Sequence, residues 1–85
     1  MKRARVVVPW KHGLHLRPAS ELVRLAGKFR AAIRLTYNEK IADARSILSV
    51  ILLCAAAGAI LEVEVAGDDE DGAIRAVEGI FRPDS

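Results

Sequence analysis

The chain has one cysteine, one tryptophan, one tyrosine and two phenylalanines among its 85 residues, and one acidic side chain in its first 34. A single cysteine, Cys54, excludes an internal disulfide and fits a reducing compartment. Set in an apolar run, it reads as a small packing residue. Two of the four aromatics, Phe29 and Phe81, fall on core-facing helical periods, which leaves little for the stacking platforms of single-strand nucleic-acid binders. No apolar run reaches the roughly 18 residues that span a bilayer, because the longest, from Ile47 to Ile60, is broken by Ser49 and Gly58. The basic start is followed by only three valines before Pro9, too few for the apolar region of a signal peptide. A cytoplasmic location is therefore expected, with no membrane contact. His12 and His15 lack a completing set of ligands, so no metal and no cofactor are expected.

What is present suits one small domain over residues 1–85, with 52% hydrophobic and 28% charged residues. Charge is unevenly placed: residues 1–34 carry nine Lys/Arg against Glu21 alone, and residues 35–85 carry four against ten Asp/Glu. In a compact fold Arg17, Arg24 and Lys28 lie on or near one helix face, which attracts a phosphate or an acidic partner, although a solvated basic face is the common alternative.

Residues 4–8 read as a strand with Val6 and Val8 inward, stopped by Pro9. Residues 32–37 alternate with Ile33, Leu35 and Tyr37 inward. Asn38-Glu39 makes a tight turn into a short strand over 40–44. Residues 60–65 alternate most strongly, with Leu61, Val63 and Val65 facing the core. Asp68, Asp69, Glu70 and Asp71 crowd the start of a last helix, where capping accounts for them better than a cation site. Ile74, Val77, Ile80 and Phe81 pack that helix on the sheet, and Pro83 ends it. The order β-α-β-β-α-β-α predicts an α+β fold, a four-stranded antiparallel sheet with three helices on one face. Arg5, Arg34, Thr36, Glu62 and Glu64 then face solvent on the other.

The stretch Gly13-Leu14-His15-Leu16-Arg17-Pro18-Ala19-Ser20 concentrates the chemistry. His15 precedes a helical pattern through Ala19, Leu22, Val23, Ala26 and Phe29, and Pro18 is tolerated in a first turn. The unpaired N–H groups and positive dipole end of a helix start suit an anion on His15, and Arg17 adds a fixed cation. A neutral imidazole nitrogen is a nucleophile able to take a phosphoryl group. A histidine at a helix start equally serves as a cap or a solvated residue, and these residues alone leave both open.

A second helix is expected from Ile47 to about Ala57, closed by Gly58. Ile47, Val50, Leu53 and Cys54 supply one apolar face while Leu48, Ile51 and Leu52 supply another. A small domain cannot bury both, so an exposed patch is expected, either for a partner or for a second copy. Ser46 is placed as the N-cap of this helix; its alternative role is phosphorylation, adding about −1.5 to −2 charges beside the patch.

The run Gly13-Leu14-His15-Leu16-Arg17-Pro18-Ala19 resembles the active-site signature of the HPr family, the histidine phosphocarriers of the bacterial phosphotransferase system. Arg45-Ser46-Ile47-Leu48-Ser49-Val50 resembles that family's second helix and regulatory serine, at the expected separation. The resemblance covers nearly the whole chain and implies an open-faced sandwich. It further implies a monomeric carrier, not an enzyme, that accepts a phosphoryl group on His15 from a phosphoenolpyruvate-dependent enzyme I and passes it to enzyme IIA-type acceptors. Arg17 and the N–H groups near Leu16 and Arg17 would contact the phosphate. Ser20, Arg24, Ile47, Leu48, Ile51 and Leu52 would dock partners, and an HPr kinase/phosphorylase would act on Ser46. His12, Leu16 and Gly27 depart from the usual pattern. Two other readings remain: a regulatory paralogue serving nitrogen or transcription control, and a basic βαβ-type module binding nucleic acid or a metabolite.

Overall fold

The computed structural model describes residues 1–82, so the expected stop at Pro83 lies outside the described residues. Seven elements follow in order: β1 (Lys2–Val7), α1 (Leu16–Ala26), β2 (Ala32–Tyr37), β3 (Lys40–Asp43), α2 (Ile47–Leu52), β4 (Ile60–Ala66) and α3 (Glu70–Ile80). The strands form one antiparallel sheet ordered β1-β4-β2-β3.

β4 is the centre of the sheet because its alternation serves two neighbours at once. Leu61 pairs with Val6, Val63 with both Ala4 and Leu35, and Val65 with both Lys2 and Ile33. Val6, Ile33, Leu35, Leu61, Val63 and Val65 are buried under the helices with Ala19, Leu22, Val50, Ala73 and Val77. The period-2 pattern therefore sends one face of every strand into a single core. Asn38 and Glu39 both take positive φ, 54° and 68°, the conformation of the tight two-residue turn that joins β2 and β3.

The outer sheet face resolves part of the charge asymmetry. Glu64 lies between Arg3 (3.2 Å) and Arg34 (3.9 Å), and Glu62 meets Arg5 at 3.6 Å. Lys2 pairs with Asp71 at 3.3 Å. Basic residues of the first half are thus met by acids of the second, each exposed pair adding little stability but consuming charge. Lys11, Arg17, Arg24 and Lys28 are left exposed around α1, with Lys28 just beyond its end.

Three sequence expectations need correction. β1 starts at Lys2 and ends at Val7, and Val8 is buried beyond the strand. α2 stops at Leu52 with Leu53 as its C-cap, well short of Ala57. The cause is Cys54, whose φ of +54° turns the chain out of the helix after Leu53 and Cys54 donate to the carbonyls of Val50 and Ile51. Cys54 is in consequence exposed, not a packing residue.

Asp69 is the third correction. It precedes α3 but caps none of its N–H groups. Its carboxylate accepts from the backbone N–H groups of Arg30 (2.8 Å) and Ala31 (2.9 Å), tying the entrance of β2 to the start of α3. The bond from Arg30, followed by the weaker opposing effect of desolvation and by the bond from Ala31, holds this carboxyl below its ordinary 3.8. With the folded value below the unfolded one, the unfolded chain binds the extra proton. The stabilisation is complete above the ordinary value and is lost as pH falls through the folded one. Asp69→Ala is expected to lower the melting temperature at neutral pH and to leave a shallower loss of stability on acidification, followed by circular-dichroism melts over the acid range. An acid limb identical to wild type would contradict this role.

Candidate functional site at the entrance of the first helix

The connection from β1 to α1 is short and held along its length. Val8 donates to Ala59 and accepts from Gly58, both at 2.9 Å, so the β1–β4 pairing continues past its last strand residues. Pro9 then ends the ladder, since it has no N–H to give. Trp10 lays its ring against Phe81, with centroids 5.2 Å apart, and its carbonyl accepts from Gly13 at 2.9 Å to close a turn. Leu14 is buried and donates to the Ala55 carbonyl at 2.9 Å.

Gly13 makes this path possible. Its φ is +75°, and a Cβ there would stand 2.6 Å from the Ala55 oxygen and 3.1 Å from the Ala56 Cα. Only a residue without a side chain allows both the left-handed backbone and the close approach.

His15 follows as the N-cap of α1, with an extended backbone and no capping bond from its side chain. The first helical bond runs from Ala19 N–H to the His15 carbonyl at 3.0 Å. The N–H groups of Leu16 and Arg17 therefore precede the helical ladder, and Pro18, which has none, is buried in the same turn. His15, Leu16 and Arg17 are all exposed. An imidazole, two backbone donors and a guanidinium on one helix start form an arrangement able to receive an anion. His12 joins them across the turn: its ring centroid is 6.0 Å from that of His15, with the planes at 83°.

Other expected site residues take nearby positions. Ser20, half-buried, and Arg24, exposed, follow on α1 at helical spacing. α1 and α2 pack together, and α2 exposes Leu48 at 64% and Leu52 at 58%, with Ile47 at 36% and Ile51 half-buried. The expected apolar patch is present on the shortened helix. Ser46 caps α2 by accepting from Ser49 N–H at 3.3 Å. Arg45, its neighbour, donates to the Phe29 carbonyl. Among the described residues no three His, Cys, Asp or Glu side chains are placed to hold a metal ion. No described helix is long and apolar enough to cross a membrane.

Sequence reasoning missed the segment 55–59, whose carbonyls and N–H groups hold the loop that carries His15. Its alanines signal nothing beyond helix propensity, and the contact joins residues more than 40 positions apart.

A family model described as the PTS HPr component phosphorylation site matches residues 2–82. The chain belongs to the HPr family. Phosphocarrier protein HPr of Mycoplasma capricolum subsp. capricolum is 35% identical over 78 residues, 92% of this chain and 88% of its own. The crystal structure of HPr-C-His from Thermoanaerobacter tengcongensis superposes with a TM-score of 0.91 at 33% identity, covering 95% of this chain and 91% of that one. A structure described as an HPr dimer from the same organism gives 0.72 at 34% identity, covering 96% and 99%. HPr proteins are phosphocarriers, not enzymes, and the four-stranded sheet with three helices is theirs.

The geometry at Gly13 carries a test. Gly13→Ala is expected to cost about 2 kcal/mol or more of folding stability, from strain at positive φ and the clash with Ala55, as measured by urea denaturation. A loss under about 0.5 kcal/mol would mean that the loop is not held where it is described.

Proposed function

We propose that the chain carries a phosphoryl group on a ring nitrogen of His15, taken from a phosphoenolpyruvate-dependent enzyme I and given to enzyme IIA-type acceptors. The lone pair of a neutral His15 nitrogen attacks phosphorus. The bond from phosphorus to the donor atom breaks, and its electron pair stays with the donor. Delivery runs the same exchange in the other direction, toward the acceptor. The observation that carries this reading is an exposed imidazole, unused as a cap, beside the N–H groups of Leu16 and Arg17. Those donors and the Arg17 guanidinium match the oxygens of the group in flight, where charge stabilisation and alignment are most of what such a transfer requires.

The exposed side chains of Ile47, Leu48 and Leu52, with half-buried Ile51, supply an apolar surface for enzyme I and the acceptors, and Ser20 and Arg24 extend it along α1. Depletion of acid around α1 favours acidic partner surfaces. Ser46 is the proposed regulatory site for an HPr kinase/phosphorylase. A phosphate there would replace the capping bond to Ser49 and set a new charge next to Ile47 and Leu48. Belonging to the HPr family argues against the nucleic-acid-binding alternative.

Incubation with phosphoenolpyruvate and enzyme I is expected to add one acid-labile phosphoryl group by intact mass, absent in His15→Ala. Arg17→Ala is expected to slow its arrival about tenfold. Retention of the label by folded His15→Ala would contradict the assignment. Leu48→Asp is expected to weaken acceptor binding about tenfold in a calorimetric titration, with melting unchanged because the side chain is exposed. Unaltered affinity would remove the patch from the docking surface.

A further inference from the structure

His12 is not explained by the fold. It is exposed and packs in no core, yet its ring stands edge to face with that of His15, 6.0 Å between centroids. The backbone beneath it is fixed on both sides. The turn that contains it is closed by Gly13 N–H on the Trp10 carbonyl, Trp10 rests on Phe81, and Gly13 is pressed against Ala55. His12 is therefore held beside His15 by contacts that do not involve its own side chain. The ion pairs of the described residues lie elsewhere, on the outer sheet face and at the start of α3.

A phosphoryl group on His15 would display three oxygens. The N–H groups of Leu16 and Arg17 approach from the helix side, and His12 stands across the turn. With ring centroids 6.0 Å apart, a phosphoryl group carried on one ring can reach toward the other.

We propose that His12 is a second phosphate-binding group of this site, its imidazole N–H donating to an oxygen of the phosphoryl group held on His15. The inference rests on the carrier reading above. Such a bond is charge-assisted and exists only in the phosphorylated state. It favours the loaded carrier over the empty one and lowers the tendency to hand the group on.

The test is the exchange equilibrium with phosphoenolpyruvate and pyruvate, set by catalytic enzyme I, in wild type and two variants. His12→Phe keeps a ring and loses the donor; His12→Gln keeps a donor and loses the ring. The equilibrium constant for loading is expected to fall about tenfold in His12→Phe and to stay within about threefold of wild type in His12→Gln. In the wild type, labelled with nitrogen-15, the ring nitrogens of His12 are expected to shift on loading of His15, a readout that requires no variant to fold. Equal constants in wild type and His12→Phe, an equal fall in both variants, unmoved His12 resonances, or a phosphoryl group found on His12 would each overturn the proposal. Failure of the wild type to load at all would overturn the carrier reading and this inference together. Loading that His12→Phe leaves unchanged would overturn this inference alone.

Discussion

The N–H of Leu14 donates to the carbonyl of Ala55, and the position of the candidate site follows from that bond and its neighbours. Val8 with Ala59 and Gly58 extends the β1–β4 ladder by one step, and Leu14 with Ala55 pins the far end of the loop. Between them the chain must turn tightly, which Pro9 and Gly13 permit, one by ending a ladder and the other by accepting positive φ. With both ends fixed, Leu14 is buried and the next residue, His15, has to face outward at the first turn of α1. The early end of α2 belongs to the same constraint. A helix continued through Ala57 would turn the Ala55 carbonyl along the helix axis, and the loop would lose its anchor.

Charge follows a similar division of labour between the two halves of the chain. Acidic residues of β4 and α3 meet Lys2, Arg3, Arg5 and Arg34 on and beside the outer sheet face. The basic residues around α1 meet no such partners in the ion pairs of the described residues, so positive potential is concentrated near His15 instead of spread over the surface. A phosphocarrier is served by such a field, because it adds to encounter and orientation without a fixed pocket.

Much of this was legible in the sequence, and what escaped has a common physical reason. Alternation in β4 and β2 revealed the sheet and its inward residues, because burial on one face leaves a period-2 trace. Gly13, His15 and Pro18 revealed the helix entrance, because turn and first-turn chemistry is local. The apolar excess of Leu48 and Leu52 revealed a patch, because a small core has limited area. The length of α2 was overestimated, since alanines after Leu53 carry good helix propensity and nothing nearby announces that Cys54 turns left-handed. Asp69 read as a cap for the helix it precedes, whereas its carboxylate serves N–H groups of residues 30 and 31. The closeness of His12 to His15 was visible, and the perpendicular arrangement of their rings was not. For Asp69 and for the segment 55–59 a long-range contact decided the outcome, and single-sequence patterns record only local ones.

Docking of residues 55–59 on the β1–α1 loop holds His15 in place. Residue-resolved amide hydrogen exchange of the folded protein tests this most directly. The N–H groups of Val8, Leu14 and Gly58 should be protected to the same extent as those of the central strand β4, while Leu16 and Arg17, ahead of the helical ladder, should exchange fast. Fast exchange at Leu14 and Gly58, alongside a protected β4, would show that the loop opens independently of the core and would contradict the account.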